Sequence, residues 1–219
     1  MNKNIIAIDG LASTGKSAIA KKLSLHLNIP YANSGALFRG ITYFALENGF
    51  IKKNYINEKS LKKSLNNVRL IFNSLENSII LNDKNISQKL HSNDISSFVS
   101  QIAKLKFVRS FLMDHQRIMA KNKGLIIEGR DIGTVVFPNA NFKFFFTASP
   151  EVRAERRLKQ MKGIGLKSSY EEVLSNLISR DKMDTERELS PLIKAEDAFE
   201  IDTTSISADE VLAILLNII

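Results

Sequence analysis

The sequence predicts an α/β fold, a parallel sheet core flanked by helices, and three observations carry that prediction. A β-branched apolar strand, Ile5–Asp9, passes through a glycine-containing turn into a segment where Ile19, Ala20, Leu23 and Leu27 recur at helical spacing between Lys16 and Leu27. Two further runs, Leu125–Ile127 and Phe142–Phe146, read as buried strands, each followed by a turn or a helix start. A last strand, Ala198–Ile201, precedes a closing helix over Ala208–Ile218.

The elements between these landmarks follow from local chemistry. Ser149-Pro150-Glu151 opens a helix, with Ser as cap, Pro at the first helical position and an acid in the first turn. Between Val68 and Leu90 the pattern changes. Val68–Phe72, Ser78–Leu81 and Asn85–Leu90 are short segments parted by Asn- and Asp-bearing turns, which predicts a small antiparallel insert. There is no internal repeat and no low-complexity tail.

Composition narrows the class of function. A chain of 219 residues, 44% hydrophobic and 25% charged, fits one globular unit with a real core. The absence of cysteine excludes a disulfide framework, a thiolate nucleophile and a Cys-ligated zinc or iron–sulfur site. The three histidines, His26, His91 and His115, are too scattered to suggest a metal cluster. Met1-Asn2-Lys3-Asn4 runs straight into a short strand without the longer apolar stretch of a signal peptide, and no run approaches the ~20 apolar residues of a membrane span. A cytoplasmic protein with no membrane partner is expected. The net charge of +8 admits two readings, a solvated Lys-rich surface or a site built for polyanions.

Gly10-Leu11-Ala12-Ser13-Thr14-Gly15-Lys16-Ser17 matches the G-x-x-x-x-G-K-[ST] phosphate loop completely, with Ala18 following it in the helix. Glycines let backbone N–H groups turn inward around a phosphate at the positive end of the following helix. Lys16 reaches the β- and γ-phosphates of a nucleotide, and the Ser17 hydroxyl can ligate Mg²⁺. A strand before the loop and a helix after it supply the context this motif requires. A GTPase would need a guanine-reading N-K-x-D, and Asn122-Lys123 continues as Gly124-Leu125.

The chain holds 10 arginines against 21 lysines, so the placement of arginine is informative. Guanidinium is flat, bidentate and permanently charged, and it suits sites that must grip phosphate. Moving a phosphoryl group between two anions is mostly positioning and charge stabilisation. Arg153, Arg156 and Arg157 share one helical face ahead of Lys162-Gly163-Ile164-Gly165, which fits a short mobile lid over ATP or a solvated basic helix. Arg180, Asp184 and Arg187 also share one face, as a ligand set or a salt-bridge ladder. Gly129-Arg130-Asp131 follows the strand Leu125–Glu128, as a ligand-binding strand end of an open α/β sheet or as a plain αβ turn.

Four segments together resemble the bacterial cytidylate kinases. They are Gly10–Ser17, Asn33-Ser34-Gly35-Ala36-Leu37-Phe38-Arg39, Gly129-Arg130-Asp131-Ile132-Gly133-Thr134-Val135-Val136-Phe137-Pro138, and Arg180-Asp181-Lys182-Met183-Asp184-Thr185-Glu186-Arg187. Their order and spacing fit over nearly the full length, and the third segment is far more specific than the phosphate loop. The resemblance implies a P-loop kinase fold with a core at about 1–37, 101–152 and 169–219. It also implies a monophosphate-binding insertion at about 38–100 and a lid at about 153–168. It implies an ATP- and Mg²⁺-dependent kinase for CMP or dCMP, acting as a monomer on small nucleotides and not on nucleic acid. Ser34, Arg39, Arg130 and Arg187 resemble acceptor-phosphate contacts, with Arg187 near the transfer centre. Arg180 and Asp184 resemble ribose ligands, Ser100, Arg109 and Asp131 the set that reads cytosine, and Arg153 and Arg157 lid arginines facing ATP. With Lys16, Arg130 and Arg187 these lid arginines form the expected catalytic set.

The base-reading assignment has a physical basis. A carboxylate at Asp131 accepts from the cytosine 4-amino group, whereas uracil presents a carbonyl oxygen there and would be repelled. Two positions depart from the family pattern. Asn33 stands where Asp is usual, and an amide is neither a base nor a full countercharge. Glu128 replaces Asp before Gly129, with a longer reach toward any metal-bound water. The rival readings are another small-molecule kinase of the same fold, for uridylate, adenylate or a non-nucleotide acceptor, and a basic nucleic-acid-binding ATPase.

Overall fold

The chain opens with β1 (Ile5–Gly10), α1 (Lys16–Leu27) and β2 (Tyr31–Asn33). It continues through α2 (Ser34–Glu47), the two-residue strands β3 (Ile51–Lys52) and β4 (Tyr55–Ile56), and α3 (Glu58–Leu65). Next come β5 (Leu70–Asn73), β6 (Ser78–Leu81), β7 (Lys84–Asn85), α4 (Asn93–Ile102) and α5 (Lys106–Met119). It then runs through β8 (Leu125–Gly129), β9 (Phe142–Thr147), α6 (Pro150–Gly163), α7 (Tyr170–Glu186), β10 (Phe199–Asp202) and α8 (Ala208–Ile218). The computed structural model describes residues 4–53, 55–73, 76, 78–121, 124–163 and 165–219. Met1, Asn2 and Lys3, the Asn122-Lys123 pair and Ile164 of the expected lid lie outside the described residues. The chain divides into two units, Met1–Tyr31 with Lys123–Ile219, and Ala32–Asn122.

The first unit is built on a sheet of order β10-β9-β1-β8-β2. β1 lies parallel between β8 and β9, with Ile5 beside Leu125 and Gly10 beside Phe146, and β10 runs parallel to β9. Ile6, Ile8, Ile126, Ile127, Phe144 and Phe146 are fully buried, as strands covered on both faces must be. Ile19, Ala20 and Leu23 of α1 and Val211 and Leu215 of α8 supply the covering apolar faces. Each large side chain so buried contributes about 1.5–3 kcal/mol. Because β1, β8, β9 and β10 are parallel, their carboxyl ends share one edge. The loops after them start at Gly10, Gly129, Thr147 and Asp202, and that edge carries the chemistry.

The second unit packs α2 against α4 and carries the antiparallel insert expected near residues 68–90. Its three strands are ordered β5-β6-β7, with Leu70 opposite Leu81 and Ile80 opposite Asn85. Gly40 of α2 lets the helix approach this sheet, since an added Cβ would stand 3.0 Å from Leu70 Cδ1. β3 and β4 form a separate small hairpin.

Several boundaries move for identifiable reasons. The third expected insert segment, Asn85–Leu90, is a strand only at its first residue, and Ser87–His91 is a 3-10 turn. Asn85 Oδ1 accepts from both the Ser87 N–H and hydroxyl, the kind of side-chain turn that takes a chain out of a ladder. Val68 closes the turn after α3 by donating to Leu65 O, so β5 begins at Leu70. β8 and β9 extend to Gly129 and Thr147, while β10 is shifted by one residue. α1 and α8 occupy the expected residues, and Ser149 Oγ caps α6 by accepting from Val152 N at 3.3 Å.

Candidate active site

The turn after β1 is shaped by backbone need. Gly10 has φ 141°, and a Cβ there would lie 2.1 Å from Phe146 O on the adjacent strand. Ser13 (φ 61°) and Gly15 (φ 93°) take left-handed conformations that swing the chain into α1. Inside this turn the Lys16 ammonium donates to Gly10 O at 2.9 Å and to Leu11 O, with Thr14 Oγ1 at 3.3 Å. Thr14 Oγ1 in turn donates to Leu11 O at 3.0 Å. Burial, and then the charge of Arg130, push the Lys16 pKa well below its ordinary value, while Glu128 and Asp9 act in the opposite sense. Ser17 and Ala18 are exposed on the first turn of α1.

The segment after β8 is held from below by Asp9. Its carboxylate, 5% exposed, accepts from Ile132 N at 2.9 Å and Gly133 N at 2.7 Å, so β1 fixes the π-helical turn Ile132–Val136 that follows Arg130 and Asp131. Burial pushes the Asp9 pKa up to about 6 despite these two hydrogen bonds. Glu128, at the end of β8, accepts from the Tyr31 hydroxyl at 2.6 Å.

Around Asp184 the expected arginines converge. Arg130 Nε donates to Asp184 Oδ2 at 2.9 Å, Arg187 Nη1 stands 3.7 Å from Oδ1, and Arg180 Nε lies 3.9 Å from Oδ2. Arg187 Nη2 is also 3.9 Å from Asp131 Oδ1. Burial alone would raise the Asp184 pKa, yet the three guanidinium groups together outweigh it and hold the carboxyl below its usual range. Arg180 is pushed down to about 10, by burial first and then by Arg130 beside it. Arg187 does not continue the helical face expected for it. α7 ends at Glu186, Arg187 is extended, and its Nε donates to Ser190 O at 2.7 Å. Its guanidinium reaches Asp184 from the chain beyond the helix.

Arg153, Arg156 and Arg157 all lie on α6 but take different partners. Arg153 is buried, donating to Ala148 O at 3.0 Å and Ala12 O at 3.4 Å and pairing with Asp181. Asp181 also accepts from Ala12 N at 3.4 Å, and the Ala12 side chain packs with Ala154, Val173 and Leu177. Arg156 grips Thr203, and Arg157 donates to Gln160 Oε1 at 2.8 Å, with burial lowering its pKa. The helices α6 and α7 are thereby fastened to the phosphate loop itself.

In the second unit, α2 begins at buried Ser34, with the Asn33 side chain accepting from Ala36 N at 2.9 Å as its cap. An amide oxygen serves that role as well as a carboxylate would. Arg39 donates to Leu90 O and Ser96 Oγ, both at 3.2 Å. Arg109 donates to Ala103 O at 2.8 Å, and its guanidinium lies 5.5 Å from the Phe38 ring centroid. Ser100 is buried on α4. Phe38, which the motif alone leaves without a role, carries that cation–π contact. Asp9, Asp181 and Thr203 carry structural contacts at this site that no motif marks. Asp9 had a signal, a lone carboxylate ending an apolar strand, since a buried charge needs partners.

Among the described residues no group of three or more His, Cys, Asp or Glu side chains could hold a metal ion. The Ser17 hydroxyl, exposed on the first turn of α1, is the kind of hard oxygen donor that would suit a divalent cation such as Mg²⁺. No helix of the described residues is long and apolar enough to cross a membrane.

The profile of the family described as Cytidylate kinase matches residues 6–219. A cytidylate kinase of Flavobacterium psychrophilum is 44% identical over 223 residues, covering 100% of this chain and 99% of that protein. One from Flavobacterium johnsoniae is 42% identical, covering 100% and 97%. The crystal structure of an uncharacterized protein from Eubacterium ventriosum superposes with a TM-score of 0.54 at 14% identity, covering 99% of this chain and 98% of that one, a likeness of fold.

Proposed function

The chain belongs to the cytidylate kinase family, and from that premise we infer that it transfers the γ-phosphoryl group of ATP to CMP or dCMP, giving ADP and CDP or dCDP. The observation that carries the reading is the cluster at Asp184. Arg130, Arg180 and Arg187 surround one carboxylate at the same sheet edge that presents the Lys16 loop. Three guanidiniums set against two carboxylates, Asp184 and Asp131, leave a net positive site suited to an entering phosphate monoester.

Gly10, Leu11, Ala12, Ser13, Thr14, Gly15, Lys16, Ser17 and Ala18 cradle ATP. A phosphate oxygen of the acceptor attacks the γ-phosphorus as the bond to the β,γ-bridging oxygen breaks, and ADP leaves with those electrons. The acceptor phosphate is already ionised, so no protein base is required. Ser34, Arg39, Arg130 and Arg187 hold that phosphate in line. Lys16, Arg130 and Arg187 match the charge on the group in flight. The Ser17 hydroxyl would hold Mg²⁺, and the ion would supply charge neutralisation on the phosphates. Arg157 faces ATP from the lid at 153–168. Arg153 serves through the loop, because its guanidinium is committed to Ala12, Ala148 and Asp181.

Arg180 and Asp184 engage the ribose, and Ser100, Arg109 and Asp131 read cytosine, with residues 38–100 forming the monophosphate-binding insertion. Closure of the lid excludes water that would otherwise hydrolyse ATP. The protein works as a cytoplasmic monomer. Coupled-assay turnover with CMP, dCMP, UMP and AMP tests the reading. CMP or dCMP should lead the other two by well over tenfold, and equal rates with all four would refute it.

A further inference from the structure

Thr203 lies in the first turn after β10, 3% exposed, at the parallel strand edge but outside every motif that identified the fold. Its hydroxyl oxygen stands 3.0 Å from Thr14 O in the phosphate loop and 3.1 Å from Thr147 O. Thr147 O already accepts the Thr203 N–H at 2.9 Å. From the other side Arg156 Nη1 donates to the same hydroxyl oxygen at 3.0 Å, and Nη2 donates to Thr203 O at 2.6 Å. A guanidinium can only donate, and a hydroxyl has one proton. Arg156 therefore takes a lone pair and turns that proton toward the carbonyl side, where Thr14 O is the acceptor not already served by Thr203 N.

Thr14, 1% exposed, is the loop residue whose own hydroxyl meets Lys16 Nζ and Leu11 O. We propose that Thr203 is a positioning residue for phosphoryl transfer: oriented by Arg156, it holds the Thr14 carbonyl so that the loop and Lys16 keep the geometry that receives ATP. The chain of contacts runs from α6 through Thr203 to Thr14 and Lys16. It joins the helix that bears Arg153 and Arg157 to the phosphate loop by a route separate from the Asp181–Ala12 contact. This role rests on the reading of Gly10–Ser17 as the ATP site.

The test uses the full-length protein with Thr203→Val, which keeps the shape and removes the hydroxyl, and Thr203→Ser, which restores it. Hydrogen exchange of amides 11–16 is followed without nucleotide. KM for ATP, KM for CMP and kcat are measured alongside melting temperature. The Val variant should exchange faster across the loop and lose about tenfold in kcat/KM for ATP, about 1.4 kcal/mol, the order expected when a buried acceptor loses its donor. KM for CMP should hold within twofold, and the Ser variant should return both ATP parameters toward wild type.

Unchanged loop exchange in the Val variant overturns the tie itself, whatever nucleotide does. Equal losses for ATP and CMP in both variants, tracking melting temperature, would reduce Thr203 to a fold-stabilising residue and overturn the proposal. Failure of the wild-type protein to bind ATP would instead strike the reading of the phosphate loop, with the exchange result still deciding the Thr203–Thr14 contact.

Discussion

Replacing Asp184 by Asn removes one negative charge from a position 5% exposed and flanked by guanidinium nitrogens at 2.9, 3.7 and 3.9 Å. At an effective dielectric near 20, each such pair is worth about 4 kcal/mol before desolvation. Burying the carboxylate costs several kcal/mol, so the pairs do not simply add. The carboxyl is nonetheless held below its ordinary pKa, which means that the arginines win. Breaking a buried ion pair from one side costs about 3–5 kcal/mol, because the remaining charges stay buried without their counterion. For a chain of 219 residues, each kcal/mol shifts the melting temperature by about 2–4 °C, giving a fall of about 6–20 °C for Asp184→Asn near pH 7.

The sign with pH follows from the same shift. A carboxyl depressed in the folded state contributes stability that is present above its unfolded pKa and lost as pH falls through the folded one. The difference between wild type and Asp184→Asn should therefore shrink as pH drops below the usual carboxylate range. Added sulfate should recover more melting temperature in the variant than in wild type, since an anion can replace the lost charge. Differential scanning calorimetry across pH and sulfate concentration reads all of this. A variant as stable as wild type at pH 7, or a deficit that grows toward acid, would refute the idea that Asp184 is the counterion of the cluster.

Lys16→Ala should abolish most activity while circular dichroism stays native, because the ammonium is bonded only within its own loop among the described residues; retained turnover would count against the phosphate-loop assignment. Asp131→Ala should lower CMP turnover far more than UMP turnover and so narrow their ratio, and an unaltered ratio would show that this carboxylate does not read the base. Asp9, raised from 3.8 to about 6, contributes stability of about 3 kcal/mol that is present below pH 4 and lost as pH rises through 6. Urea unfolding of wild type and Asp9→Asn should track that change in their difference, and a difference flat between pH 4 and 7 would contradict the shift.

What the sequence makes legible is local. Gly10, Gly15 and Lys16 announce a strand–loop–helix unit because their backbone demands are met within eight residues, and α1 occupies Lys16–Leu27 as its periodicity requires. The four helices α2 to α5 carry weaker signals. α2 mixes Gly40 and aromatic residues on faces that are mostly apolar, and α5 buries the polar Gln116 alongside Val108 and Leu112. β3 and β4 are two residues each, too short for alternation to register. Arginine as a residue type pointed to an anion site, but its partners are distant in sequence. Arg130 meets Asp184 across 54 residues, and Asp9 meets Gly133 across 124. Thr203 and Thr14 are 189 apart. A hydroxyl or carboxylate does not announce a partner that only the parallel sheet brings to its side.

The measurement that bears most directly on the account is product analysis of a single incubation with ATP, Mg²⁺ and CMP, resolved by anion-exchange chromatography with UMP in a parallel tube. Equal amounts of ADP and CDP should form, with little UDP in the parallel reaction. ADP without CDP, or CDP and UDP at equal rates, would contradict it.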